Sequence, residues 1–253
     1  MAPIKRQIIA MGGGGFSMEP DNLLLDRFIL QQAPCQEPRV CFLPTASGDS
    51  DRYICRFYSA FTQLNCRHTH LSLFRPPVEG PSAFLQKQDI IYVGGGSTFN
   101  MLALWKLWGL DKTLRQLWEG GTILCGLSAG SLCWFEAGLS DSVTPGRYEK
   151  IECLGFLKGS HCPHYDGERE RQPIYKQMVK SEQLSDGIAA DDGVALHYVN
   201  NCLHQVVSSR PQANAFRVFR EQESVQQDVI TPQYLGEMSL DERTDGQGSS
   251  LHR

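Results

Sequence analysis

The sequence has no long apolar run, no strong excess of one charge and no paired cysteine motif. No stretch approaches the ~20 apolar residues that a membrane-spanning helix needs, and the first residues lack a signal-peptide pattern. The net charge is −4, with 24 Lys and Arg residues against 28 Asp and Glu residues. This near balance argues against nucleic acid or an anionic membrane surface as a binding partner.

The nine cysteines are scattered, and no C-x-x-C pair occurs among them. An odd number of cysteines within apparent strands and helices is more typical of buried free thiols than of a disulfide framework. We therefore expect a protein of the reducing cytoplasm. A chain of 253 residues, 41% of them hydrophobic, is long enough for one large domain. We expect this domain to span residues 1–235 and the polar segment 236–253 to be a flexible tail.

Strand-like and helix-like segments alternate along most of the chain. Short apolar segments predict strands at residues 7–11, 40–44, 68–74, 89–93 and 122–125. Amphipathic segments predict helices at residues 23–33, 52–64, 99–108 and 111–118. Three later segments, residues 194–199, 203–209 and 215–220, are typical of an antiparallel extension of the same sheet. The expected fold class is α/β: a three-layer sandwich with a mostly parallel central sheet and antiparallel strands toward the C-terminus.

The segment Gly126-Leu127-Ser128-Ala129-Gly130 follows a predicted strand and precedes an apolar helix. G-x-S-x-G in this context is typical of a nucleophile elbow, a tight turn that exposes a serine hydroxyl at the end of a sheet. The helix N-terminus also offers unpaired N–H groups to a developing negative charge. The alternative interpretation is an ordinary strand-to-helix turn, in which Gly and Ser are also common.

A nucleophilic serine needs a base and a group that orients the base. Of the seven histidines, His161 and His164 lie where a strand end meets a proline turn, and Pro163 favours His164. Asp191 and Asp192 precede Gly193 at the end of another apolar stretch, although paired acids before glycine are often a plain turn. No cluster of metal ligands is apparent, so we expect no metal or organic cofactor.

Two further glycine clusters, residues 12–15 and 94–96, also follow predicted strands. Binding sites in such sheets collect beyond the carboxyl ends of the strands. Residues 12–15 could cradle phosphate in a non-enzymatic binding module, but they lack the G-x-G-x-x-G spacing and a Walker lysine. We interpret this cluster as a tight loop beside the site.

Three segments, Val93 to Phe99 (V-G-G-G-S-T-F), Gly126 to Gly130 (G-L-S-A-G) and Pro163 to Tyr165 (P-H-Y), together resemble the peptidase E family. These are aspartyl dipeptidase-like serine peptidases on a class I glutamine amidotransferase-like fold, related to cyanophycinase. The resemblance covers about residues 5–220. It implies that the substrates are short peptides, among them peptides with N-terminal aspartate.

The resemblance also implies roles for individual residues. Ser128 would be the nucleophile, His164 the base and Asp192 the third member, with Asp191 as an alternative. The backbone N–H groups of Ala129 and Gly96 would form the oxyanion hole. Arg169 corresponds to the family arginine that holds the substrate aspartate, although it also fits a solvated run of charges. Two departures are Asp192 where the aspartyl dipeptidases have glutamate and Ser97 where the family usually has asparagine.

Other functions fit parts of the pattern. An α/β-hydrolase would order its residues serine, acid, histidine, which Ser128, Asp192 and His204 would satisfy, but the H-G-G-type oxyanion loop is missing. A glutamine amidotransferase would need cysteine at position 128. Peptides without aspartate, or other amides, remain alternative substrates.

Overall fold

A computed structural model describes residues 4–144 and 146–236. The strands are β1 (Gln7–Met11), β2 (Arg39–Leu43), β3 (Arg67–His70), β4 (Ile90–Val93), β5 (Ile123–Leu127), β6 (Ala137–Thr144), β7 (Arg147–Glu152), β8 (Ser160–Cys162), β9 (Gly187–Ala190), β10 (Val194–Val199), β11 (Cys202–Ser208), β12 (Ala215–Glu221), β13 (Ser224–Ile230) and β14 (Gln233–Tyr234). The helices are α1 (Gly15–Met18), α2 (Leu24–Gln31), α3 (Asp51–Phe61), α4 (Pro81–Leu85), α5 (Thr98–Trp108), α6 (Leu110–Glu119), α7 (Ala129–Leu132) and α8 (Arg171–Lys180). Among the described residues, no helix has both the length and the apolarity to cross a membrane. Apart from Gly236, the tail predicted for residues 236–253 lies outside the described residues.

The first sheet has eight strands in the order β14-β11-β10-β1-β5-β4-β2-β3. Strands β1, β5, β4, β2 and β3 run parallel, and β10 is antiparallel to both β1 and β11. These pairings confirm the α/β class with a mostly parallel central sheet. The predicted strand at residues 68–74 is too long: β3 ends at His70, because the Leu73 N–H donates to the Asp49 carboxylate (2.9 Å) and not to a neighbouring strand.

Helices cover both faces of this sheet, which gives the three layers. Since side chains alternate along a strand, Ile8 and Ala10 face one core and Ile9 and Met11 face the other. The first core is closed by apolar residues of α5, α6 and α7, and the second by apolar residues of α2 and α3. The short, fully apolar strands are thus buried from both sides.

The C-terminal half departs from the prediction of a single extended sheet. A second sheet has the order β13-β12-β9-β8-β6-β7. The predicted strand at residues 215–220 is β12, and it pairs with β9 and β13 in this second sheet. Only β10 and β11 of the three predicted segments belong to the antiparallel side of the first sheet. Their placement depends on partners far away in the sequence, which local periodicity does not identify.

The chain passes directly from the second sheet to the first through Asp191–Gly193, between β9 and β10. In this passage Asp192 forms an isolated parallel bridge with Gly13, which follows β1. Strands β5, β8 and β9 end just before the segments that carry Ser128, His164 and Asp192. The candidate site therefore lies where the carboxyl ends of strands from two sheets meet. All nine cysteines lie within the described residues and carry free thiols.

Candidate functional site

Ser128 occupies the turn between β5 and α7 with φ 55° and ψ −118°. A positive φ is uncommon for a residue other than glycine and concentrates at sites where the surrounding structure imposes it. The two flanking glycines permit this geometry. A Cβ on Gly126 would overlap with the Gly130 carbonyl, and a Cβ on Gly130 would overlap with the Val93 carbonyl of the neighbouring strand. The G-x-S-x-G spacing therefore allows helix α7 to pack directly against β4 and β5.

The loop of residues 94–96 lies beside this turn. A Cβ on Gly95 would lie 3.2 Å from the Ser128 Cβ and 3.6 Å from its Oγ, so a larger residue would crowd the hydroxyl. The Gly95 N–H donates to the Tyr53 hydroxyl (3.2 Å). Gly96 has φ 136°, and a Cβ there would overlap with the Ala46 carbonyl. Glycine is therefore required at Gly96 both by conformation and by space.

Two backbone N–H groups, one in the glycine loop and one in the elbow, have no hydrogen-bond partner among the described residues. The N–H groups of Gly96 and Ala129 donate no hydrogen bond to any other described residue. Ala129 begins helix α7, where the first N–H groups have no partner within the helix. The elbow and the glycine loop thus bring two unpaired donors to the same end of the sheet as Ser128.

His164 lies in the loop after β8, also with a positive φ of 53°. Its Nδ1 is 2.5 Å from Asp192 Oδ1, and both side chains are mostly buried. Since an ionised carboxylate only accepts hydrogen bonds, Nδ1–H is the donor and Nε2 remains available for another proton. Asp192 is held in turn by its own N–H, which donates to Asp166 Oδ1 (2.8 Å).

Ser128 and His164 are attached to consecutive residues at the end of β1. The Ser128 N–H donates to the Met11 carbonyl (3.2 Å), and the His164 N–H donates to the Gly12 carbonyl (3.2 Å). The hydroxyl and the imidazole form no hydrogen bond with each other. Catalytic hydrogen bonds of this kind often tighten only when a substrate binds.

Residues 12–15 pass beneath the histidine and the acid. A Cβ on Gly13 would overlap with Asp192 Oδ1 and lie 2.9 Å from His164 Cε1. Gly13 also accepts the Gly193 N–H (3.1 Å) through its carbonyl. The glycines of this loop therefore allow the backbone to approach the His164–Asp192 pair closely, beside the site as the sequence suggests.

The two adjacent aspartates have different surroundings. Asp191 Oδ2 accepts the Asn214 N–H (2.9 Å), away from His164. Burial, together with the nearby Asp166 and Asp192 charges, raises the pKa of Asp191 to about 6. Burial also acts against ionisation of Asp192, but the hydrogen bond and positive charge of His164 outweigh it, so the pKa of Asp192 lies below its usual value.

Arg169 is exposed and forms no ion pair with the described part of the chain. Its neighbour Arg171 is instead buried, donates to Glu168 (Nε to Oε2, 2.9 Å) and stacks over the Tyr148 ring. Tyr148 also donates to Glu168. The Arg171 charge is therefore balanced within the protein.

Within the described residues, no other histidine forms a hydrogen bond with the Ser128 hydroxyl. His161 is fully buried and hydrogen-bonded to Ser131 and Ile188. His204, which an α/β-hydrolase order would require, is exposed on β11 and has no hydrogen bond to Asp192. The chain order of the residues brought together is thus serine, histidine, acid.

Some residues that support the site carry no sequence signal. Tyr53 is on α3, more than 40 positions before Gly95, and looks like an ordinary apolar-face residue. The sequence does offer a signal for Asp166, because this residue follows His164 by two positions in an H-Y-D-G turn. Within residues 4–144 and 146–236, no group of three or more His, Cys, Asp or Glu side chains is arranged to hold a metal ion.

Comparison with known proteins gives a consistent result. Residues 8–206 match the sequence profile of peptidase family S51. The chain is 54% identical over 231 residues to the uncharacterized peptidase YgaJ of Bacillus subtilis strain 168, covering 91% of this chain and all of that protein. It is 33% identical over 159 residues to peptidase E of Streptomyces coelicolor, covering 61% of this chain and 62% of the relative. A crystal structure of a peptidase from an acI-B1 actinobacterium has the same fold, with a TM-score of 0.65 and 17% identity over 91% of this chain and 96% of the other.

Proposed function

Because the chain belongs to peptidase family S51 and is similar to a protein named peptidase E, we propose that it hydrolyses short peptides through a Ser128-His164-Asp192 triad and an acyl-enzyme intermediate. It is a serine-type peptidase of the peptidase E type. What we propose in addition is which residues perform the reaction and which peptides are cleaved.

In the proposed first step, His164 Nε2 takes the proton of the Ser128 hydroxyl as Oγ attacks the peptide carbonyl carbon. The carbonyl oxygen becomes an oxyanion, which accepts hydrogen bonds from the N–H groups of Ala129 and Gly96. His164 then gives the proton to the leaving amine as the C–N bond breaks. Asp192 keeps the imidazole in the correct tautomer and stabilises its positive charge.

In the second step, water attacks the Ser128 ester. His164 takes a proton from this water, the same two N–H groups stabilise the oxyanion, and the proton returns to Ser128 Oγ as the acid product leaves. Every proton transfer in this sequence passes through one ring nitrogen. The role of Asp192 is therefore the same in both steps.

One observation carries the proposal: the positive-φ Ser128 and the Asp192-bound His164 are hydrogen-bonded to consecutive carbonyls at the end of β1. A strained serine alone fits a tight turn, and a His–Asp pair alone fits a buried ion pair. Their attachment to Met11 and Gly12 brings nucleophile and base to one point of the sheet. Unpaired N–H groups on the serine side supply the oxyanion donors.

Labelling by a fluorophosphonate probe tests the nucleophile. We expect the folded wild-type protein to be labelled at Ser128, and Ser128→Ala or His164→Ala to lose labelling. Dipeptide turnover should fall by about four to six orders of magnitude in both variants, by analogy with other triads. Circular dichroism checks that the variants fold.

Ser59→Ala, which removes an exposed hydroxyl from α3, is the matched control and should label like wild type. An unlabelled, inactive wild-type protein would favour a non-catalytic binding module. Near-wild-type turnover of Ser128→Ala would refute the assignment of the nucleophile.

We further propose a preference for N-terminal aspartate, with Arg169 as the group that binds its carboxylate. The support lies in charge balance near His164. Arg171 is paired with Glu168, and Arg210 is paired with Glu19 (Nε to Oε1, 2.5 Å). Arg169, five positions after His164, has no such acidic partner within the described ranges.

A scan of dipeptides that differ in the N-terminal residue tests this preference. We expect wild type to cleave Asp-Leu faster than Leu-Leu, and Arg169→Ala to lose most of that ratio because the substrate carboxylate loses its cation. Removal of a charge-assisted hydrogen bond of this kind costs about 1.5–3 kcal/mol, or roughly 10- to 100-fold in kcat/KM. Arg27→Ala, at an exposed position of α2, is the control. Equal kcat/KM values for the two dipeptides in wild type would reject aspartyl specificity and favour other peptides or amides.

A further inference from the structure

Strand β8 carries a second histidine, three positions before His164. His161 is fully buried, and its ring stacks on Phe135 with 4.5 Å between centroids. Its Nδ1 is 2.8 Å from the Ile188 carbonyl oxygen, and its Nε2 is 2.9 Å from Ser131 Oγ. The proposed mechanism does not use this residue.

The direction of both hydrogen bonds follows from the chemistry of the partners. A carbonyl oxygen only accepts, so His161 Nδ1 carries the proton and donates to Ile188. Burial lowers the pKa of His161 to about 4, so the ring is neutral near pH 7 and Nε2 is an acceptor. The Ser131 hydroxyl therefore donates to His161.

The Ser131 hydroxyl is also 3.1 Å from the Ser128 carbonyl oxygen. That carbonyl already accepts the N–H groups of Ser131 (3.0 Å) and Leu132 (2.9 Å). The single hydroxyl proton of Ser131 is therefore available for the hydrogen bond to His161 Nε2.

These bonds connect the three segments that carry the proposed triad. Ser131 lies three positions after Ser128, in helix α7, and His161 lies three positions before His164. Ile188 pairs with His161 in the second sheet and lies four positions before Asp192. We propose that His161 is a positioning residue that holds the serine, histidine and aspartate segments in register for the reaction proposed above.

Helix α7 needs such an attachment because it has only four residues, Ala129–Leu132. A helix this short has little stability of its own, so its position depends on tertiary contacts. Ser128 follows β5 of the first sheet, and His164 follows β8 of the second. A relative shift of about 1 Å between them can cost ~100-fold in rate.

Four variants separate positioning from general stabilisation. Ser131→Ala removes the donor, and His161→Asn keeps a donor near Ile188 but is too short to reach Ser131. His161→Gln keeps an acceptor long enough to reach Ser131. The double variant Ser131→Ala/His161→Phe removes both ends of the Ser131–His161 hydrogen bond and retains an aromatic ring on Phe135, while the Ile188 carbonyl loses its His161 donor.

Steady-state kinetics on a dipeptide that wild type cleaves and urea unfolding are measured for all four. We expect Ser131→Ala, His161→Asn and the double variant to lose about 10- to 100-fold in kcat with little change in KM. His161→Gln should retain more kcat than His161→Asn, and the double variant should lose no more than either single change. The free energy of unfolding of the double variant should fall by no more than the cost of one buried carbonyl, that of Ile188, without its donor.

Wild-type kcat in the double variant, a kcat loss that merely follows the loss of stability, or a change confined to KM would each overturn the positioning role. So would equal activity of His161→Gln and His161→Asn. This inference rests on the proposed function, and the two failures are distinguishable. If wild type neither cleaves dipeptides nor labels at Ser128, the proposed function fails; if wild type does both and the four variants match it, only the positioning role fails.

Discussion

At the residue scale, the two neighbouring aspartates show how backbone direction assigns different roles to identical side chains. Successive side chains of an extended segment point to opposite sides. Asp192 therefore reaches His164, while Asp191 reaches the Asn214 N–H. Their pKa values move in opposite directions. The hydrogen bond from His164 and nearby positive charges lower the pKa of Asp192 against its burial, whereas burial and like charges raise the pKa of Asp191 more than the Asn214 N–H lowers it.

This difference predicts unequal effects of the same substitution. Asp192→Asn should lower kcat by about 10⁴-fold, since the amide leaves the imidazole in the wrong tautomer. Asp191→Asn should keep kcat near wild type, because its amide oxygen can still accept the Asn214 N–H. Dipeptide kinetics of the two variants provide the measurement. A larger loss in Asp191→Asn than in Asp192→Asn would reverse the assignment of the acid.

At the element scale, the strand–turn–helix unit depends on contact between backbones. Helix α7 lies so close to β4 that the Gly130 Cα faces the Val93 carbonyl, and β5 packs against the same helix at Gly126. A backbone carbonyl within a parallel sheet cannot move aside as a flexible side chain can. The elbow geometry therefore requires the small residues on either side of Ser128.

Gly130→Ala should disturb this unit, because the new Cβ would overlap with the Val93 carbonyl carbon and oxygen. We expect a loss of about 1–3 kcal/mol in the free energy of unfolding, as for other overpacked cores, together with a lower kcat. Urea unfolding and dipeptide kinetics measure the two effects.

Gly120→Ala is the matched control. Gly120 follows α6 with an ordinary φ of −81°, is exposed, and its Cβ would lie 3.3 Å from the nearest backbone oxygens. Its free energy of unfolding should stay within about 0.5 kcal/mol of wild type. Equal effects of the two substitutions would contradict the importance of the α7–β4 contact.

At the scale of the whole molecule, one buried carboxyl couples stability to pH. Asp26 on α2 is fully buried, accepts the Phe16 N–H (2.9 Å) and the Tyr92 hydroxyl (3.1 Å), and lies below the loop that contains Gly15. Burial raises its pKa to about 7, more than the two hydrogen bonds lower it. The folded protein therefore keeps this proton at pH values where an unfolded chain has lost it.

Between about pH 4 and pH 7 the folded state binds more protons at Asp26 than the unfolded state does. The contribution of Asp26 to the free energy of unfolding thus falls as pH rises, by about 1.4 kcal/mol per pH unit, and becomes constant above pH 7. Asp26→Asn should lack this fall while its amide oxygen still accepts the Phe16 N–H. Urea unfolding across this pH range compares the two proteins, with Asp21→Asn at an exposed position as control. Parallel pH profiles of wild type and Asp26→Asn would contradict the prediction.

The fold was predictable where local pattern and tertiary role agree. Strands β1 and β10 have the predicted bounds, α5 begins one residue earlier than predicted, and α6 is one residue longer at each end. The second sheet was not predictable in this way. Strands β7 and β13 are largely exposed and polar, β6 is buried only over its first four residues, and β8 has three residues, so none shows a clear apolar period.

The sequence by itself determined the strand, the tight turn and the glycine loops around Ser128, because close backbone approach and positive φ restrict the residue types that fit. It also indicated His164 and the Asp191–Asp192 pair as partners. Only the tertiary structure decided which aspartate faces His164, and where His161 donates and accepts its hydrogen bonds. The physical reason is that these contacts depend on pairing between segments far apart in the chain. His164 and Asp192 follow the paired strands β8 and β9 of the second sheet, and Ser131 lies on α7, which follows β5 of the first sheet.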